Sequence, residues 1–231
     1  MSLVPQTFRA LVIGSSGTIG SAFMELLQNN PACEAAYGIH RNSATPIDYE
    51  DLSTIESAAI ALADQGPFQL IINTIGLLHS EHWMPEKKLD DLNAKQLQML
   101  MQINAIGPSL TIKYFSKLLD PKGAVMATLS AKVGSIEDNR LGGWYSYRAS
   151  KAALNMLIKT AAIEFGRTRS NTALVALHPG TVNSRLSKPF KGEQIGRLPA
   201  DAASDMLQVL LSLNKEDSGT FISYAGERLP W

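Results

Sequence analysis

Tyr147 and Lys151 stand four residues apart in the segment Trp144-Tyr-Ser-Tyr-Arg-Ala-Ser-Lys151, so on a helix both side chains project from one face. Such a pair can move a proton. A free phenol, with a pKa near ~10, is a poor shuttle at neutral pH. A neighbouring ammonium and a cationic ring would both favour the phenolate. Lowering the phenol by about three units asks for ~4 kcal/mol of differential stabilisation, within reach of two close cations. The spacing alone also occurs on ordinary helices. Tyr145, six residues from Lys151, points to another side and is expected to wall a pocket.

A second group of residues can hold a phosphate. Ile13-Gly-Ser-Ser-Gly-Thr-Ile-Gly20 follows an apolar run and opens a helical pattern. Glycines there let the backbone turn tightly and approach a pyrophosphate, which the helix N-terminus favours. Gly14, Ser15, Ser16, Gly17, Thr18, Ile19 and Gly20 are therefore expected to bind a dinucleotide. A carboxylate at the end of the following strand would select NAD, and a cation would select NADP. Here Gly38-Ile-His-Arg41 ends in a cation twenty-one residues after Gly20. Arg41 can pair with a 2′-phosphate, so NADP(H) is favoured and NAD(H) is the alternative.

These groups need elements to carry them. Apolar runs at 9–13, 35–39, 45–48, 68–72, 124–130, 172–177 and 220–224 read as strands, and 18–27, 92–119 and 149–165 read as helices. Ser53-Thr-Ile-Glu56 reads as a capping box opening a further helix, and Gly107-Pro108 marks an interruption in the 92–119 segment. Strand–helix alternation predicts a Rossmann-type, doubly wound α/β fold with a parallel sheet. No linker or internal repeat divides it, so residues 1–231 are expected to form a single domain.

Composition narrows the function. The chain has 231 residues, 45% hydrophobic and 18% charged, with formal net charge zero. That balance disfavours a nucleic-acid partner, which needs concentrated Lys and Arg. Cys33 is the only cysteine, which excludes an intrachain disulfide and fits a reducing compartment. The first residues lack a basic segment leading into a long apolar run, so neither a secretory signal nor a membrane span is expected. A cytoplasmic protein acting on a small molecule is the expectation. His79 and His82 have a spacing that suits a metal but no evident third ligand, and no metal is assigned.

Taken together, the glycine loop and the Tyr147/Lys151 spacing resemble the short-chain dehydrogenase/reductase superfamily, and the resemblance covers nearly the whole chain. Asn73-Thr-Ile-Gly76 looks like the family segment that supports the sheet and lines the cofactor. Asn104-Ala-Ile-Gly107 resembles its active-site asparagine, which helps hold a relay water beside the lysine. His178-Pro-Gly-Thr-Val182 is similar to the family's Pro-Gly segment, implying nicotinamide contacts from Pro179, Gly180, Thr181 and Val182. Asp48 matches the acidic residue beside the adenine. Leu129-Ser-Ala-Lys-Val-Gly-Ser-Ile136, the Tyr147 segment and Glu-Arg-Leu-Pro-Trp231 look like the C-factor/sniffer-like carbonyl reductase branch.

The resemblance implies a carbonyl reductase or alcohol dehydrogenase in which Tyr147 is the proton donor and Lys151 holds the nicotinamide ribose. It also implies a homodimer or homotetramer paired through the lysine helix, with Leu154, Leu157 and Ile158 as candidate apolar surface. Some members of the branch are known for signalling, so a C-factor-like regulatory protein with little turnover is the alternative. One departure concerns the glycine loop, whose middle glycine is shifted while the outer spacing is kept. The other concerns the substrate-orienting serine. The family's Ser-Ser-x-x-Gly falls on Ser130 and Ala131 before Gly134, which leaves Ser130 as first choice, Ser135, or a site without that hydroxyl. Residues 183–199, rich in Pro and Gly, are expected to form a mobile lid.

Overall fold

The computed structural model describes residues 2–231. Six strands form one parallel sheet: β1 (Phe8–Ile13), β2 (Cys33–Ile39), β3 (Leu70–Asn73), β4 (Ala124–Leu129), β5 (Thr172–His178) and β6 (Phe221–Ser223), in the order β2-β1-β3-β4-β5-β6. The doubly wound α/β architecture read from the alternation is thus present. Alternate residues feed opposite faces. Leu11, Ile13, Ile71, Met126 and Leu174 pack in one core under α2 (Ser53–Ala61), α4 (Gly107–Phe115) and α5 (Tyr145–Thr168). Ala10, Val12, Leu70, Ile72 and Val125 pack in the other under α1 (Thr18–Gln28) and α7 (Pro199–Ser212).

Residues 45–48 do not form a strand. Pro46 has no N–H to give to a ladder, and Ser43 turns the chain by accepting from His40 N at 3.0 Å and donating to the His40 carbonyl at 2.7 Å. The segment instead folds back to bury Ile47 and Tyr49, which leaves β2 as the sheet edge. The Ser53 capping box is also absent. Ser53 is itself the first residue of α2, and it donates to Asp51, whose Oδ1 accepts from Ser53 N at 3.1 Å and Ser53 Oγ at 2.7 Å. Asp51, two residues earlier, therefore does the work expected of Ser53.

The interruption expected at Gly107-Pro108 falls just before it. α3 (Ala94–Met101) passes into a π-helical turn at Gln102–Ile106 and then into α4 without leaving the helix axis. Pro108 sits in the first turn of α4, where its missing N–H is tolerated. Helix α5 begins four residues earlier than the periodicity indicated, so Tyr147 and Lys151 share a continuous helix. Of its candidate interface residues, Leu154 and Ile158 are fully buried against the sheet and only Leu157 is outward, joined there by Met156 and Ile163. Residues 183–199 are not plain loop: they contain the short helix α6 (Gly192–Ile195), and Val182 and Arg197 bridge their two ends. No helix among the described residues is long and apolar enough to cross a membrane.

Candidate active site

All strands end on the same edge, where parallel sheets collect ligands. At the β1 end, Gly14 has φ +85°, and a Cβ there would stand 2.7 Å from Thr74 Oγ1. A Cβ on Gly20 would collide with the Gly14 carbonyl. The loop is thus a hollow that only glycine leaves open. Helix α1 rises from it with Gly17 at its N-cap and no side-chain cap, so its first N–H groups remain free for an anion. This cradle fits a pyrophosphate.

A pocket of about 180 Å³ continues from the loop, lined by Gly14, Ser16, Gly17, Arg41, Asp48 and Gly76, with His40 and Tyr49 closing it. The structure thereby gathers Arg41 and Asp48 beside the glycine loop from a distance in sequence. Arg41 is exposed and takes part in no ion pair among the described residues. Ser15 points elsewhere, its N–H given to the Ile39 carbonyl at 3.2 Å. Asn73 is fully buried behind the pocket rather than on its wall. Its Nδ2 donates to Tyr49 Oη at 2.7 Å, and its Oδ1 accepts from Ile75 N at 3.1 Å.

Thr74, Ile75 and Gly76 belong both to this pocket and to a second cavity of about 480 Å³. The larger cavity is lined by Tyr147, Lys151, Ser130, Ala131 and His178, together with Pro179, Gly180, Thr181 and Val182. Ile19 from the start of α1 also lines it. Trp144, Phe190 and Leu186 make an apolar wall, with the Trp144 and Phe190 rings 4.8 Å apart. Tyr145 is not part of this wall and lies partly exposed on α5.

Tyr147 is buried, and its hydroxyl makes no hydrogen bond within the described protein. Burial pushes its phenol well above the ordinary tyrosine range. Lys151 donates from Nζ to the Leu129 carbonyl at 3.0 Å and lies 5.9 Å from the Tyr147 ring centre. Desolvation pulls its ammonium down to about 8. The chain alone therefore keeps the phenol protonated, and the lowering expected from the sequence does not occur within it.

Asn104 sits behind the cavity, its side chain wholly committed. Oδ1 accepts from Leu77 N at 2.8 Å, while Nδ2 donates to the Leu77 carbonyl at 2.7 Å and to Ser150 Oγ at 3.1 Å. The residue four further on is Pro108, so the Asn104 carbonyl has no α-helical donor. Between the serines the geometry is unequal. Ser130 lines the cavity and donates to Asn155 Oδ1 at 2.6 Å. Ser135 lies outside it, donating to the Trp231 carbonyl at 3.0 Å and accepting from Asp138 N at 3.1 Å.

Sequence reasoning gave no role to Glu86. This buried carboxylate reaches the start of α5, where its Oε2 accepts from Ser146 N at 3.2 Å, Ser146 Oγ donates to Oε1, and Trp144 N donates to its carbonyl. Trp144 stands at φ 54°, a left-handed conformation that a bulky residue holds only when its surroundings enforce it. No local signal marks Glu86, because it lies sixty residues from Ser146. His79 is set against the Phe190 ring, 6.0 Å between centres, and His82 is exposed.

A family model described as Enoyl-(Acyl carrier protein) reductase matches residues 24–208. The 1-hydroxy-2-glutathionyl-2-methyl-3-butene dehydrogenase of Rhodococcus sp. strain AD45 is 31% identical over 188 residues, which is 80% of this chain and 78% of that one. The C-signal protein of Myxococcus xanthus is 34% identical over 171 residues, 72% of this chain and 94% of its own. Two solved structures share the fold. Carbonyl reductase Sniffer of D. melanogaster has a TM-score of 0.81 at 22% identity, covering 97% of this chain and 100% of that one. An NADPH-bound carbonyl reductase from chicken fatty liver has a TM-score of 0.84 at 24% identity, covering 98% of this chain and 95% of its own. With the ordered motifs, the parallel sheet and the Tyr147–Lys151 cavity, these likenesses place the chain in the short-chain dehydrogenase/reductase superfamily, as an oxidoreductase similar to the C-signal protein.

Proposed function

We propose that the protein is an NADP(H)-dependent reductase of a small-molecule carbonyl, working in reverse as an alcohol dehydrogenase. The observation that carries this is adjacency: the cavity holding the free Tyr147 hydroxyl and the glycine-loop pocket share Thr74, Ile75 and Gly76 in their lining. Arg41 at the far end of that pocket favours the 2′-phosphate, and the chicken relative is NADPH-bound. The dinucleotide supplies a hydride when bound.

The chain's own residues supply the rest. Tyr147, kept protonated by burial, gives its proton to the carbonyl oxygen as negative charge develops there. Lys151 holds the ribose and, once charged beside the phenolate, stabilises it. The main-chain carbonyl of Asn104, without an α-helical donor because Pro108 stands four residues on, is the group that steadies a relay water, since the side chain is occupied. Of the two serines, Ser130 faces the cavity, and Ser135 has no access to it.

A cytoplasmic setting and at least a dimer complete the reading, with Met156, Leu157 and Ile163 as exposed apolar surface on α5. A signalling role without turnover is disfavoured by the shared cavity of Tyr147 and Lys151. The test is NADPH consumption with a panel of aldehydes, ketones and quinones. Turnover that Tyr147→Phe leaves unchanged would contradict the mechanism.

A further inference from the structure

Ala131 puts a methyl where the family resemblance calls for a substrate-orienting hydroxyl. Its neighbour Ser130 has already given its proton to Asn155, so neither residue presents a free donor to a carbonyl oxygen. The lysine ammonium is likewise turned to the Leu129 carbonyl. Tyr147 is then left to engage the substrate oxygen without the usual second donor.

His178 lines the same cavity. In the sheet, Leu129 pairs with Leu177, which sets His178 beside the turn that carries Ser130 and Ala131. Its Nδ1 accepts from the backbone N–H of Lys132, at 3.3 Å, the residue directly after Ala131. The imidazole is thus tied to the turn that carries Ala131, and both residues line the cavity that holds Tyr147. With Nδ1 accepting, the neutral ring carries its proton on Nε2. That Nε2 has no hydrogen-bond partner among the described residues. Burial and the nearby Lys132 charge hold the ring neutral down to about pH 4, so Nε2–H is a donor and not a charged acid. A neutral imidazole used in this way can polarise a carbonyl.

Resting on the reductase reading above, we infer that His178 is a further catalytic residue of this chain: its Nε2–H donates to the substrate oxygen and takes the part vacated by the missing serine. The Lys132 N–H bond sets the tautomer and the aim of the ring. His178 thereby connects two peculiarities of the sequence, the alanine at 131 and the histidine ahead of Pro179-Gly180.

Two replacements separate donation from mere bracing. In His178→Asn the amide oxygen sits where Nδ1 was and still accepts from Lys132 N–H, but nothing reaches the Nε2 position. In His178→Gln the amide N–H₂ reaches the Nε2 position, and the acceptor for Lys132 is lost. We expect His178→Asn to lower kcat by ~10²-fold, the usual effect of deleting one such donor, with NADPH affinity unchanged by fluorescence titration. His178→Gln is expected to stay within about tenfold of the parent, because a donor persists. Adding Ala131→Ser to His178→Asn should recover at least about tenfold over His178→Asn.

The opposite order, with Asn active and Gln impaired, assigns His178 to bracing alone and overturns the inference. So does an equal loss in both, or a double variant that is no better than His178→Asn. A readout independent of turnover is ¹⁵N NMR of labelled histidine, which should show a neutral, Nε2-protonated ring for His178 between about pH 5 and 8. A Nδ1-protonated or charged ring there overturns it as well. Tyr147→Phe is run in parallel. If it leaves reduction intact, the Tyr–Lys reading fails, whatever His178 does.

Discussion

The nucleotide end and the substrate end of the cleft are built by different means. The nucleotide end is mostly backbone: a glycine loop of seven residues, a helix N-terminus and one strand end, all within the first βα units. The substrate end is mostly side chains from distant places, with Glu86, Ser130, Trp144, Tyr147, His178 and Phe190 drawn from five segments of the chain. A backbone site needs only permissive residues in the correct order. A side-chain site needs several elements to be packed correctly before any of its groups is aimed. The first should therefore be sensitive to sterics and charge at single positions, and the second to the contacts that hold its supports.

Changes at each end test that division. Tyr147→Phe keeps the ring and its packing against Trp144, so cofactor binding should survive while kcat falls ~10²- to 10⁴-fold. Equal losses in binding and turnover would mean the two ends are not separable. Arg41→Asp acts only at the other end. It should reverse the NADPH-over-NADH preference by ~10- to 100-fold, the worth of a charge-assisted hydrogen bond, and leave kcat with saturating cofactor alone. Unmodified protein that binds NADH as tightly as NADPH would remove the basis for this assignment.

Glu86→Gln touches no substrate and should still damage the substrate end. It weakens the cap that starts α5, and helix N-caps are worth about 0.5–2 kcal/mol. The melting temperature should fall by a few degrees. KM should also rise as the first turn of α5, held at Ser146 and adjoining Trp144, loosens, without change in NADPH affinity. A variant with lowered stability but unaltered KM would show that Glu86 supports the helix alone.

An effect confined to alkaline pH comes from Lys151. Its ammonium titrates near 8 in the folded chain against 10.5 when free. Between those values the unfolded chain binds the proton that the folded chain has lost, so stability should rise with pH across that window. Lys151→Met removes the titration. Its stability curve without cofactor should be flatter from pH 8 to 10.5, and at pH 7 it should be at least as stable as the parent, since a buried charge has been deleted. A parallel pair of curves would place Lys151 in a wetter environment than the cavity indicates.

The comparison also explains what was readable in advance. The alternating apolar runs determine the parallel sheet, because each strand buried on both faces has to be nearly all apolar. The loop around Gly14–Gly20 and the Tyr147–Lys151 spacing are local patterns whose geometry follows from a turn and a helix. Errors arose where a local pattern competed with something non-local. Residues 45–48 look like a strand but carry Pro46, and the burial of Ile47 and Tyr49 draws them off the sheet edge. Ser53 looks like a cap, but Asp51 is better placed to accept.

The amino-acid sequence by itself thus determined the fold class, the glycine-loop hollow and the placing of Tyr147 and Lys151 on one helix, since each is specified by spacing within one or two consecutive elements. Only the tertiary structure decided which serine faces the cavity, that the Asn104 amide is consumed by Leu77, that Glu86 caps α5, and that His178 is fastened beside Ala131. Each of those depends on a hydrogen bond between residues 25 to 96 positions apart. The energy of such a bond depends on where packing of the sheet and helices brings its two partners, and no local periodicity records that.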